Sequence, residues 1–495
     1  MTVFDKRFHN LTEKQSDRRK YLTLIYGVFA LAMFLHHIVV TICYREISTG
    51  ADFLPITWIV FAVCSVLLGR MWEDKSFWIL LVLLILRTLR IDTGEEGAQE
   101  VRNTVFLVGL YAYFGCYAAG RAIGIHKLKG FLMLFCALWT IAMTVFSCLG
   151  IYVGWTGNAI ENLGTSPICV QYARLFPVYH PVEAGILSSI SIAVAIVGFF
   201  VSRHSAHPKL AWLYCPAMIL IFIFGMLTST RACLVINAVE IAAVICLIVY
   251  ERIKNRGKQE NSPQRNRLIA AAMILLLVIL TAALIALQSL FLPMLIQIRN
   301  QSGILVSNAL AEETQAVSSF QIEARDFSME NGMDGLLNGR VVIWENTLQA
   351  IGQKPMILLS GESSNHPIEI VNNIREAQGL YRVSHTHNMF LQTLLENGIP
   401  GLLLYAAFIL LFLRNAYKVI RNRELPFWKR IVPLPALACL CGELIDITTS
   451  TVNDRPQMTL LYLFIGFTAV IAGCQECQGD GSVGSVRGRT NEARR

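Results

Sequence analysis

The chain has 495 residues, of which 54% are hydrophobic and only 15% charged, and it carries a net charge of +8. That balance excludes a soluble enzyme, an intrinsically disordered chain and a small disulfide-stapled fold. Apolar runs such as 22–43, 131–150, 232–250 and 268–287 reach the roughly 20 residues that cross a bilayer as a helix, so the sequence reads as an all-α polytopic membrane protein.

In chain order, a cytoplasmic N-terminus (1–21) precedes nine predicted spans within 22–290, at about 22–43, 53–69, 77–89, 104–120, 130–151, 182–201, 212–228, 232–250 and 268–290. A long loop (291–389) follows, then three spans within 390–473 at about 390–413, 431–448 and 457–473, and a disordered cytoplasmic tail (474–495). About 12 transmembrane helices result. The first apolar run is too long for a cleaved leader and lacks a small-residue cleavage site, so it reads as a retained span.

With both termini inside, 29 of the 42 Lys and Arg fall on cytoplasmic segments. The basic excess is therefore an orientation signal, and nucleic-acid binding is set aside. Cys474 and Cys477 form a CxxC with no second pair and no nearby histidine, so no zinc site is expected, and no disulfide framework follows from the 13 cysteines.

Two connections on the outer face are long. The stretch 152–180 holds Gly154, Gly157, Gly164, Pro167 and Pro177 and reads as an irregular loop against the membrane. The loop 291–389 is longer than an unstructured connection needs to be, which points to function. Within it, Arg340–Gln353 predicts an amphipathic helix with Val342, Trp344, Leu348 and Ile351 near one face, ended by Pro355.

The outer-face basic residues are twelve arginines and Lys354. Guanidinium matches phosphate oxygens in a two-pronged way that ammonium cannot, although pairing with outer acids is the competing reading. Two arginines stand out. Arg231, in TSTRACLV, falls where one span ends and the next begins, a position where a cation seeks protein, water or an anion. Arg340 opens the predicted helix beside free backbone N–H groups, where the dipole disfavours a cation unless an anion is present.

Near the last spans the sequence reads SHTHNMFLQTLLENGIPGLLLY, residues 384–405. His385 and His387 do not share a face of a regular helix, which argues against a zinc pair there. A single imidazole at the membrane edge suits proton abstraction from a hydroxyl, and an interfacial structural role is the alternative. Asn388 follows, and Gly398, Pro400 and Gly401 loosen the helix beyond. The sequence contains no Asp-x-Asp and no evident paired outer carboxylates.

GRVVIW, followed some forty residues later by HNMFLQTLLENGIPGLLLY after a long outer loop, resembles the O-antigen ligase and polysaccharide polymerase family of bacterial membranes. The likeness extends to TSTRACLV and, more weakly, to ARLFPVYHPVEAGILSS, where Arg174 lies but the family's usual Asn is missing. The resemblance implies an inverting, metal-independent glycosyltransferase of the bacterial inner membrane, with no cofactor and its active site on the outer face. The implied donor is an undecaprenyl-diphosphate-linked glycan, and the implied acceptor is lipid A-core, a second lipid-linked glycan or another hydroxyl. Membrane lipids are its surroundings and nucleic acid is not a partner. Carried over by residue, Arg231, Arg340 and Arg174 would hold the diphosphate and His387 would activate the acceptor, with His385 in reserve. Asn388, Trp344 and Arg382 would support them. A polymerase using the same donor is the alternative. A flippase or other transporter, using buried charges such as Glu240, Glu443 and Asp446, is a second.

Overall fold

The computed structural model describes residues 125–156, 181–228, 230–255, 340–362, 367–383, 385–445 and 456–479, a hairpin over 169–171 and 174–176, and scattered positions at 160, within 78–85 and within 272–294. The spans expected at 22–43, 53–69 and 104–120, both terminal segments up to 21 and beyond 479, and residues 295–339 of the long loop lie outside the described residues. So does much of 77–89 and 268–290, whose described positions are helical.

The first bundle helices are α1 (Ile125–Thr156), α2 (Pro181–Arg203), α3 (Tyr214–Leu227, entered through a 3-10 turn at Pro208–Leu213) and α4 (Arg231–Asn255). Three short helices follow: α5 (Arg340–Gln353), α6 (Ile357–Ser360) and α7 (Glu369–Ala377). Then come α8 (Met389–Arg421), α9 (Phe427–Arg430), α10 (Leu434–Ile445) and α11 (Pro456–Gly479). Among the described residues, five stretches are long and apolar enough to cross a membrane: Leu128–Thr156, Glu183–Arg203, Pro208–Leu227, Ala232–Val249 and Phe390–Arg421.

Three expectations are corrected. The stretch 152–180 is not wholly irregular, because α1 runs on to Thr156 and β1 (Cys169–Gln171) pairs antiparallel with β2 (Arg174–Phe176). Helix α11 continues through Gly479, into the stretch expected to be tail, since nothing in Gln475–Gln478 stops a helix before that glycine. Helix α5 has the expected bounds but buries Ile343, Asn346, Thr347, Ala350 and Ile351, while Leu348 is exposed. Thr347 is tolerated inside because its hydroxyl donates to the Ile343 carbonyl at 2.8 Å.

Helix α2 is the most enclosed of the five spans. Proline at its first position, Glu183 in its first turn and Arg203 in its last suit the helix ends and dipole. Small residues let its neighbours approach: a Cβ on Gly185 would lie 2.7 Å from the Thr228 hydroxyl and 2.8 Å from the Thr230 Cβ, in the turn between α3 and α4. The Trp139 indole of α1 donates to the Ser191 hydroxyl of α2 at 3.0 Å, an interhelical bond of about 0.6 kcal/mol in a membrane setting. Aromatic contacts such as Phe146 with Phe224, centroids 5.3 Å apart, fill the core between α1 and α3.

These contacts fix which helix ends lie together. The start of α1, the end of α2 and α9 meet: Lys129 lies over the Trp428 ring at 5.7 Å, and Phe200 touches Phe427 at 4.7 Å. Helix α9 also caps the end of α8, where Arg430 Nε donates to the Ile420 carbonyl at 2.8 Å. The end of α1, the start of α2, the α3–α4 turn and the start of α8 therefore share the opposite end of the bundle. The hairpin packs against α1 and α2. At the start of α8 a second core of Ile343, Ile351, Ile357, Val371, Ile374, Val383 and Leu395 joins α5, α6, α7 and the first turns of α8.

Candidate active site

The histidine segment is held by hydrogen bonds at Thr386 and Asn388. Thr386, between the two histidines, is fully buried. Its N–H donates to Gln392 Oε1 at 2.9 Å, its carbonyl accepts from the Trp344 indole at 3.1 Å, and its hydroxyl donates to the Asn388 carbonyl at 3.0 Å. Gln392 is in turn oriented by a 2.8 Å bond from its amide to Glu396 one turn on. Asn388 is the N-cap of α8: its side-chain oxygen accepts from the backbone N–H of Phe390 at 3.0 Å and of Leu391 at 3.1 Å.

Upstream, α7 pins the approach to this turn. Asn372 bonds both backbone groups of Val383, donating to its carbonyl at 3.0 Å and accepting from its N–H at 2.9 Å. Buried Arg375 donates to the Tyr381 carbonyl at 2.9 Å, with its guanidinium 5.0 Å from the Tyr381 ring centroid.

Held this way, His387 adopts φ +52°, the one positive φ outside glycine among the described residues. Such a conformation costs a non-glycine residue on the order of 1–3 kcal/mol and persists where the surroundings over-determine it. Its effect is to bring the imidazoles of His385 and His387 to a centroid separation of 4.0 Å, 70° between planes. The i, i+2 spacing that separates them on a helix does not apply, because the segment is a turn.

Arg340, half-buried, is the first residue of α5. Trp344 stands four residues on, on the same face about 6 Å along the axis. Because Trp344 holds the Thr386 carbonyl, the start of α5 and the histidine turn form one unit. Arg382 behaves differently from its expected role: it donates to Glu369 and Glu376, each at 2.5 Å. The Glu369 hydrogen bond first, then Glu376, raises its pKa above the ordinary arginine value. It is a clamp on α7, already committed to two carboxylates.

The other two arginines begin elements at the same end of the bundle. Arg174 begins β2, paired with Gln171. Arg231 begins α4, directly after Thr230, which touches α2 at Gly185. Their side chains are outside the described ones. Sequence reading missed Gln392, Glu396, Arg375 and Asn372. The signal for the first two was present: Gln392 and Glu396 stand at i, i+4 inside a predicted span, and both are buried.

The family described as O-antigen ligase matches residues 216–406. The matched stretch opens in α3, contains Arg231, Arg340, His385 and His387, and ends just past the break in α8 at Gly398, leaving Arg174 outside. No curated protein matches the chain. Membrane-length helices, an arginine-led helix tied to a histidine turn, and this match agree: residues 216–406 are similar to the O-antigen ligase family.

Proposed function

We propose that the protein is an inverting, metal-independent glycosyltransferase. It moves a glycan from undecaprenyl diphosphate to an acceptor hydroxyl at the outer face of the bacterial inner membrane. The observation that carries this reading is the Trp344 bond to the Thr386 carbonyl, which ties the Arg340 helix start to the histidine turn.

In the reaction, His387 takes the acceptor hydroxyl proton while the oxygen attacks the anomeric carbon. The bond from that carbon to the diphosphate oxygen breaks, undecaprenyl diphosphate leaves, and the anomeric configuration inverts. A positioned base contributes about 10²- to 10⁴-fold. Arg340, with Arg231 from the start of α4 and Arg174 from the start of β2, neutralises the charge that grows on the leaving diphosphate. His385, in ring contact with His387, sets its orientation and is the reserve base.

A ligase takes lipid A-core as acceptor and a polymerase takes a second lipid-linked glycan, with the same donor chemistry. The transporter reading draws on Glu240, buried in mid-α4, as a site near the membrane midplane would need, whereas the elements that carry the candidate arginines and histidines begin at one end of the bundle, which favours the enzymatic reading. The test is to supply purified protein in vesicles with a lipid-linked glycan donor, a chelator and each acceptor in turn. The reading expects chelator-resistant transfer to lipid A-core with an inverted linkage. Transfer only to a second lipid-linked glycan makes it a polymerase, and transfer to neither removes the enzymatic reading.

A further inference from the structure

The four-residue helix α6 has an unusual surface for a segment outside the membrane spans. Ile357 is buried, while Met356 and Leu359, one turn apart, are 61% and 66% exposed. Behind them the connection is polar, with Lys354 paired to Glu362 at 2.7 Å. The result is a loop with a charged base and an apolar tip.

Helix α6 is seated against the break in α8. Gly398 has φ +65° and ψ −171°, a conformation essentially reserved for glycine. A Cβ there would lie 3.0 Å from the Leu358 carbonyl oxygen and 3.0 Å from the Leu359 carbonyl carbon. A Cβ on Gly361 would lie 2.3 Å from the Glu396 carbonyl oxygen. The backbones touch, so the depth of Gly398 in the bilayer is the depth of α6.

That depth follows from α8. Below the break its exposed apolar residues are Ile399, Leu403, Leu410, Leu413 and Tyr417, spaced along one side of the helix. At the far end Arg421 donates to the Tyr417 hydroxyl and lies 5.5 Å from its ring, an aromatic–cation pair of the kind that marks a membrane interface. From 399 to 417 is 18 steps, or about 27 Å at 1.5 Å per residue, close to the roughly 30 Å hydrocarbon thickness. Arg414 is the first exposed charge on this side. If it marks the inner limit instead, 399 to 414 gives only about 22 Å, and the hydrocarbon extends past the break. Tilt shortens the rise and moves the break deeper still. Every choice leaves α6 at or inside the hydrocarbon edge.

We propose that Met356 and Leu359 insert among the acyl chains of the leaflet at this end of the bundle, making α6 a lipid-docked wedge that fixes the height of the histidine turn above the bilayer. The occupant is bilayer lipid, because Met356 and Leu359 are exposed on a helix whose backbone touches α8 at the edge of its lipid-length apolar stretch. The inference rests on α8 crossing the membrane and not on the transferase reading.

The test uses the full chain in vesicles of phosphatidylethanolamine and phosphatidylglycerol. A genetically encoded, environment-sensitive fluorescent residue replaces Met356, Leu359 or, as a control, exposed Gln378. Lipids brominated high on the acyl chain should quench at 356 and 359 several-fold more than at 378, and aqueous iodide should quench them less than at 378. Iodide quenching equal to that at 378 overturns the proposal. Shielding from both quenchers also overturns it, by showing that protein, either another segment or a second copy, covers α6. Positions 356 and 359 are substituted one at a time, so if one variant fails to insert the other decides.

Discussion

The Trp344 indole N–H and the Thr386 carbonyl oxygen lie 3.1 Å apart across 42 positions of sequence. This bond is where the long-loop helix α5 meets the turn that presents His385 and His387. Replacing Trp344 by Phe keeps the ring and removes only the donor, leaving a buried carbonyl unmatched. The expected cost is about 1–3 kcal/mol of stability, and the transfer rate should fall while the protein still inserts. Equal melting temperature and equal transfer in the variant and the parent would show that the bond positions nothing.

Glu396 acts through Gln392. With Glu396→Ala, the Gln392 amide loses its 2.8 Å partner and is free to turn its oxygen away from the Thr386 N–H. Transfer should fall and be largely restored in Glu396→Gln, which still offers an amide oxygen. Rescue by Gln separates an orienting role from one that needs negative charge, and a Gln variant as impaired as Ala would contradict the relay.

At Gly398, both the left-handed φ and the contact with the Leu358 and Leu359 backbone oppose any side chain. Gly398→Ala should cost at least about 1–3 kcal/mol from backbone conformation alone. The neighbouring Pro400→Ala keeps the break and should be milder. Thermal denaturation in detergent reads both, and a Gly398→Ala variant as stable as the parent would show that the break is not required.

Arg382 and Arg340 should respond differently. Arg382 is already paired with Glu369 and Glu376, so Arg382→Ala should loosen α7 yet leave donor binding close to that of the parent. Arg340→Ala should weaken donor binding directly. Titration of both variants with a lipid diphosphate ranks them, and the reverse order would move the anion contact from the start of α5 to α7.

The spans at 130–151, 182–201, 212–228, 232–250 and 390–413 were legible because uninterrupted apolar length is a property of the sequence itself. The bounds of α5 were legible for a similar local reason, with Pro355 closing the helix. Its buried face was not, because Asn346 and Thr347 go inside, a result of packing and of the Thr347 bond to Ile343 rather than of hydropathy. Strands of three residues carry too little pattern to announce the β1–β2 hairpin. The contact of His385 with His387 depends on the positive φ of His387, imposed by Trp344, Gln392 and Asn388 from three directions. No local spacing encodes that.

The most direct measurement is the rate of glycan transfer from a lipid-linked diphosphate donor by vesicle-reconstituted His387→Ala, Arg340→Ala and Arg340→Lys, each shown to be inserted and folded. The account predicts that His387→Ala slows transfer by about 10²- to 10⁴-fold with donor binding retained. It predicts that Arg340→Ala loses both binding and rate, and that Lys does not fully restore them. Parental rates in His387→Ala and Arg340→Ala together would contradict it.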